Sequence, residues 1–161
     1  MRVNIGELLA DRGAVRVVAF SERLESAGED VSLLDPVQGE LVLTSTGRTV
    51  YLTGRVHTAL SLVCGACLKP FRQPFEVPVE EEFGRTTASV IPSRGETALG
   101  PEDFVVPVGR DETVDLTEVV RQHLVLAMPI APRCRDGCRG LCATCGADLN
   151  LGPCACPPVD A

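Results

Sequence analysis

The sequence predicts an α+β fold: an antiparallel, partly open β-sheet, one main helix at about residues 115–128, and a C-terminal zinc-ribbon-like cysteine-rich tail. Three patterns carry this expectation. Apolar residues alternate along 50–62 and again along 71–83, an i, i+3/i+4 stripe runs from Leu116 to Ala127, and six of the eight cysteines follow Pro129. The chain accordingly divides into a β-rich domain, residues 1–128, and a tail, 129–161, packed on the same domain. At 161 residues one modest core is feasible.

Residues 14–20, Ala-Val-Arg-Val-Val-Ala-Phe, read as a strand, and Leu41-Val42-Leu43 as another. Val50, Leu52, Val56, Leu60 and Leu62 hold even positions, interrupted by Gly54 and Thr58, while Arg55, His57 and Ser61 hold odd ones. Period two sends alternate side chains to opposite sheet faces, so this segment is a long half-buried strand. It runs into Cys64-Gly65-Ala66-Cys67-Leu68-Lys69-Pro70. Beyond that turn Phe71, Phe75, Val77, Val79 and Phe83 alternate with Arg72, Glu76, Glu80 and Glu82. The pattern is a hairpin with two thiols at its tip. Pro74 and Pro78 lack a ladder donor, which places the second strand at an edge. Residues 84–103 are polar and Gly-rich and read as a mobile surface loop, after which Phe104–Val108 returns to the sheet.

The main helix begins with Asp115 as cap and Glu118 three positions on, the capping-box spacing. Leu116, Val119, Val120, Leu124 and Ala127 form its apolar stripe. Pro129 ends it, because the residue before a proline is pushed out of helical conformation.

Charge and cysteine usage bound the function. Fifteen basic residues against 22 acidic ones give −7, and only Lys69 is a lysine. A protein that grips nucleic acid chiefly through phosphates shows the opposite balance. No run of about 18 apolar residues exists to span a membrane, and Met1–Glu7 lacks a signal-peptide core. A cytoplasmic location is expected. In a reducing compartment eight cysteines point to metal ligation or catalysis rather than disulfides.

The tail reads Cys134-x3-Cys138-x3-Cys142-x2-Cys145-x8-Cys154-x-Cys156. Two thiolates two residues apart bind one ion, and Gly146 lets the chain turn back with its N–H groups toward the sulfurs. Cys142, Cys145, Cys154 and Cys156 thus match a tetrahedral, all-sulfur structural zinc site. The remaining Cys64, Cys67, Cys134 and Cys138 suggest a second site that pins the tail to the hairpin. The alternative partition joins Cys134, Cys138, Cys142 and Cys145, leaving Cys154 and Cys156 to Cys64 and Cys67. Spacing leaves both open; the first uses the shorter loop closure. One or two structural Zn²⁺ ions are the expected cofactors. A structural zinc contributes about 10–16 kcal/mol in small peptides, which Leu141, Leu149 and Leu151 alone do not match. Two filled sites deepen the net charge to about −11. Any RNA contact is then local, with Arg133, Arg135 and Arg139 as candidates; their plainer role is to be solvated or to neutralise the thiolates.

Catalytic readings fare less well. Cys64–Cys67 as a redox dithiol lacks the helix N-terminus and βαβ setting that lower a thiol pKa. The deaminase His-x-Glu signature is absent, since Thr58 and Ala59 follow His57. His57 and His123 read as surface or half-buried side chains. Ferredoxin spacings, Walker loops and nucleophile elbows are not matched. Glu80-Glu81-Glu82 reads as a charge run on an exposed strand end.

Three motifs together carry a family resemblance. Cys64-Gly65-Ala66-Cys67-Leu68-Lys69-Pro70-Phe71 resembles the cysteine hairpin of the YceD family, the large ribosomal RNA subunit accumulation proteins of bacteria and plastids. Asp115–Glu118 through Leu124–Pro129 is similar to its helix and Leu-Ala-Leu-Pro ending. Cys138-Arg139-Gly140-Leu141-Cys142-Ala143-Thr144-Cys145-Gly146-Ala147-Asp148-Leu149-Asn150 is similar to the tail of its cysteine-rich members, with Ala143 where those have proline. The resemblance covers about residues 14–156, and the chain ends soon after Cys156, where relatives often continue. It implies a cytoplasmic, non-enzymatic accessory factor of ribosome biogenesis that supports large-subunit rRNA accumulation. The implied partner is a large-subunit precursor or an assembly protein. A thiol-based redox or zinc-responsive regulator is the alternative.

Overall fold

A computed structural model describes residues 1–24, 26–28, 31–85 and 104–156. The element order is β1 (Arg2–Asn4), α1 (Gly6–Ala10), β2 (Val15–Glu22), β3 (Ser26–Gly28), β4 (Val31–Leu33), β5 (Val37–Ser45), β6 (Thr49–Val63), β7 (Pro70–Gly84), β8 (Val106–Pro107), β9 (Thr113–Asp115) and α2 (Leu116–Ala127). The fold is α+β with one main helix. The expected loop over 84–103 lies, from residue 86 on, outside the described residues.

The 15-residue strand β6 organises a seven-stranded sheet. One side of β6 pairs with β5 over Val50–His57 and with β4 at Leu60 and Ser61, while β7 runs along its whole other side. β2 flanks β5, β3 flanks β4, and β8 adds to β7 in parallel at Phe83 and Gly84. That last pairing makes the sheet mixed rather than wholly antiparallel. β1 and β9 form a separate two-stranded sheet.

The alternation along β6 becomes burial. Val50, Leu52, Val56 and Leu60 are fully buried and Leu62 nearly so, while Tyr51, Thr53, Arg55 and His57 are exposed. The two interruptions have steric and polar causes. A Cβ on Gly54 would lie 2.2 Å from the Glu40 carbonyl oxygen, so glycine is required there. Buried Thr58 donates its hydroxyl to the Asp35 carbonyl at 2.8 Å, which satisfies the polar atom.

Helix α2 covers the inner sheet face with Leu116, Val120 and Leu124, which join Phe20, Leu41, Leu43, Val77, Val79 and Phe83 in one core. Each fully buried aliphatic side chain contributes about 1.5–3 kcal/mol. Ala127, placed in the stripe by periodicity, is exposed. Asp115 caps the helix by accepting from Thr117 N–H. Glu118 turns forward to Arg121 and Gln122 instead of back to the cap, so half of the capping box forms. Met128 is extended at ψ 134°, ahead of Pro129.

Candidate metal centres

β6 and β7 are in register up to Val63 and Pro70, so residues 64–69 form the hairpin tip. Cys64 N–H donates to the Lys69 carbonyl and Leu68 N–H to the Cys64 carbonyl, both at 2.9 Å. The tail crosses this tip and is tied to it by main-chain bonds: Gly65 N–H to Pro132 O at 2.8 Å, and Leu141 N–H to Ala66 O at 3.0 Å. These ties bring two cysteines of the hairpin beside two of the tail.

Cys64, Cys67, Cys134 and Cys138 form one quartet, with all sulfurs within 4.8 Å of one another. Cys64, Cys67 and Cys138 are buried and Cys134 half-buried. Cys64 and Cys138 Sγ lie 3.8 Å apart, as do Cys67 and Cys134 Sγ. A tetrahedral ion with Zn–S bonds of about 2.3 Å needs sulfur–sulfur edges of about 3.8 Å. A disulfide needs about 2.0 Å. Backbone N–H groups of Cys67, Cys134 and Ala66 pull the Cys64 thiol down to about 6, while burial and the neighbouring sulfurs push Cys134 up to about 12. Without a cation the four sulfurs therefore share protons; with one they can all ionise.

Cys142, Cys145, Cys154 and Cys156 form the second quartet, again within 4.8 Å. It sits nearer solvent, with Cys145 exposed and the other three half-buried. Its frame is a tight knuckle: Gly146 N–H donates to Cys142 O and Cys142 N–H to Ala147 O, both at 2.8 Å. Gly146 takes φ +69°, a conformation that favours glycine. The N–H groups of Cys145 and Thr144 lower the Cys142 thiol to about 6, and the Cys145 sulfur raises Cys156 to about 12. Of a ribbon of paired strands, the described tail holds one isolated bridge, Leu141 to Asp148.

This grouping is the first of the two partitions open to the spacing. The donor set is all sulfur, the chemistry that suits zinc and excludes hard cations.

A polar network, unmarked by sequence spacing, ties the tail to the hairpin beside the first quartet. Asn150 Nδ2 donates to Cys138 Sγ at 3.6 Å. Asn150 Oδ1 accepts from Arg139 N–H at 3.0 Å and from Arg135 Nη2 at 2.8 Å. Asp148 accepts from Asn150 N–H at 2.9 Å and meets Lys69 Nζ at 2.6 Å. Lys69 and then Asn150 hold the Asp148 carboxyl down at about 2. Arg133 donates to the Cys138 carbonyl. Two of the three candidate RNA-contacting arginines thus brace the tail.

Away from the quartets, His57 is exposed and His123 is half-buried with Nε2 3.3 Å from Glu81. Glu80 is exposed, whereas Glu81 and Glu82 are half-buried. Among the described residues, no helix is long and apolar enough to cross a membrane.

The match to known proteins spans both quartets. The family model described as "Large ribosomal RNA subunit accumulation protein YceD" matches residues 52–161. An uncharacterized protein of Mycobacterium tuberculosis is 32% identical over 114 residues, covering 71% of this chain and 52% of that protein. The chloroplastic large ribosomal RNA subunit accumulation protein YCED homolog 1 of Zea mays is 27% identical, over 98% of this chain and 61% of its own length. Its Arabidopsis thaliana counterpart is 24% identical, over 96% and 54%. The chain thus spans 52–61% of the length of these three curated relatives. No solved structure matches. With a family match running from β6 through both cysteine quartets to the end of the chain, the protein belongs to the YceD family.

Proposed function

We propose that this protein is a non-enzymatic accessory factor of ribosome biogenesis that supports accumulation of large-subunit rRNA in the cytoplasm. The observation that carries the reading is the family match over residues 52–161, with the names of the two plant relatives. It acts through contacts with a large-subunit precursor or an assembly protein. The net charge of −7 opposes naked RNA as sole partner.

Two structural zinc ions are the cofactors of this reading. Cys64, Cys67, Cys134 and Cys138 hold one; Cys142, Cys145, Cys154 and Cys156 hold the other. The 3.8 Å sulfur edges of the hairpin quartet, the second quartet's sulfurs within 4.8 Å of one another, and the N–H donors facing Cys64 and Cys142 support zinc at these places. Bound zinc supplies the positive charge that keeps four thiolates together. The residues around it do the rest: Asn150 donates to Cys138, and Lys69 ties the hairpin to Asp148. The role of the metal is to order residues 133–156 of the tail on the β-rich domain.

Deleting the gene in its host and measuring large-subunit rRNA against small-subunit rRNA tests the function. Loss of the large-subunit species, restored by the intact gene, is expected. Pull-down with and without RNase then separates protein from ribonucleoprotein contacts. Unchanged rRNA together with no recovered precursor overturns the reading.

A further inference from the structure

The sheet face turned away from α2 is ordered in cross-strand rows. Val15, Thr44, Tyr51 and Glu82 form one row across β2, β5, β6 and β7; Val17, Val42, Thr53 and Glu80 form the next. Both rows begin apolar and end acidic, over three strand spacings, about 14 Å. Val15, Val17 and Tyr51 are 59%, 57% and 46% exposed. The third row, Ala19, Glu40, Arg55 and Pro78, adds a carboxylate beside the apolar corner. In the fourth, Glu76 takes up the Arg55 guanidinium at 2.8 Å. Over these four rows the face carries Glu40, Glu76, Glu80 and Glu82 against one guanidinium, Arg55, that is already held; farther along β7 on the same face, Arg72 is held by Asp35.

The two flanks of this layer are built differently. Along β7, Pro70, Pro74 and Pro78 interrupt the donors of a strand that, among the described residues, pairs with β6 alone until β8 joins at Phe83. Prolines are a standard way to blunt a sheet edge. β2 pairs with β5 over all eight residues with no register shift, and carries neither proline nor lysine. Its one cation, Arg16, is directed to Asn4 O and Glu7. Among the described residues no strand pairs with the outer side of β2, and an apolar, regular edge of this kind beside an exposed valine patch is the pattern of a surface that receives a partner.

We propose that this face binds a cationic polypeptide segment, with apolar residues over Val15, Val17 and Val42 and a following arginine or lysine over Glu80 and Glu40. Phosphates would meet four carboxylates here, and a second copy of this chain would bring its own excess of negative charge. The inference rests on the assembly-factor reading and names the surface and the kind of partner which that reading leaves open.

The metal-loaded, isotope-labelled chain is titrated with a synthetic peptide of about ten residues, a valine–isoleucine run followed by arginines. Its glutamate-for-arginine counterpart and a single-stranded RNA of similar length are the other probes. The arginine peptide should shift the amides of Val15, Val17, Thr53 and Glu80, and the other two probes should not. Glu40→Lys with Glu80→Lys should weaken the peptide about tenfold; Val17→Thr, a strand-compatible change, should weaken it as well. Peptide shifts elsewhere, equal shifts with RNA, or a concentration-dependent dimer lost in Val17→Thr would each overturn the proposal. If the intact chain and the double-lysine variant co-sediment equally with large-subunit precursors, this surface is rejected while the assembly reading stands. If the peptide binds this face but the chain never co-sediments, only the assembly reading falls.

Discussion

Gly140 packs so closely on Ala66 that no side chain fits between them. A Cβ on Gly140 would lie 2.8 Å from the Ala66 carbonyl oxygen, and the backbone there has φ +72°. The same carbonyl accepts the Leu141 N–H that ties the tail to the hairpin. Gly140→Ala therefore meets two costs: about 1–2 kcal/mol for a left-handed non-glycine residue, and displacement of that tie. The expected result is a folded sheet with a loosened tail. Trypsin should cleave faster at Arg139, while α2 and the sheet keep their near-native circular dichroism. Unchanged cleavage would count against the contact as the seat of the tail.

The hairpin and the helix were legible in the sequence because they are long and periodic. Val50 to Leu62 and Phe71 to Phe83 alternate over enough residues to fix both faces, and Pro129 marks the helix end. The three-residue strands β1, β3, β4 and β9 and the five-residue helix α1 carry no period to detect. The parallel pairing of β8 is set by tertiary packing of two residues. At the metal centres, spacing delivered the eight cysteines but left their partition open, because it does not show which segments cross. The ties Gly65 to Pro132 and Leu141 to Ala66 decide that crossing. The bracing roles of Asn150 and Lys69 are not readable from sequence, because an isolated amide and a turn lysine have many commoner roles.

Metal content is the second prediction. The purified native chain should carry two zinc ions, and Cys64→Ser and Cys145→Ser should each remove one. The quartets differ in burial: three of four sulfurs are buried in the hairpin quartet, while Cys145 is exposed in the other. A chelator reaches exposed thiolates first, so release should be biphasic, with the Cys145 ion leaving in the fast phase. Complete removal should melt residues 133–156 and leave most of the sheet, which has its own core. Elemental analysis and a chromogenic zinc assay read both outcomes. A metal-free native chain with a protease-resistant tail would reject zinc as the organiser.

Asn150 allows a finer test of the hairpin quartet. Its amide donates to Cys138 Sγ and accepts from Arg139 N–H and Arg135. Asn150→Ala removes both functions at once, and outer partners of this kind typically tune metal affinity by about 10–100-fold. Asn150→Asp keeps the acceptor, deletes the donor to sulfur and adds a negative charge beside the thiolates. Zinc affinity by competitive chelation should fall in both variants, with the aspartate no better than the alanine. Affinity equal to that of the native chain in Asn150→Ala would show that the amide braces the chain without touching the metal.

The acid dependence of α2 follows from Glu118. Arg121 first, then Gln122, hold its carboxyl down to about 2. A carboxyl lowered in the folded state contributes stability above its unfolded value, and that contribution is lost as pH falls through the folded value. Glu118→Gln should therefore melt slightly below the native chain at pH 7, and the gap should close as pH falls from the ordinary glutamate range toward about 2. The neutral-pH gap should be small, because Glu118 and Arg121 are 48% and 40% exposed and solvent screens the pair. Added salt should narrow it further. Thermal unfolding followed by circular dichroism at both pH values provides the comparison. A gap that persists at the acid end would mean that the variant differs through the hydrogen bonds its neutral terminal group makes to Arg121 and Gln122, with the Glu118 charge irrelevant to the helix.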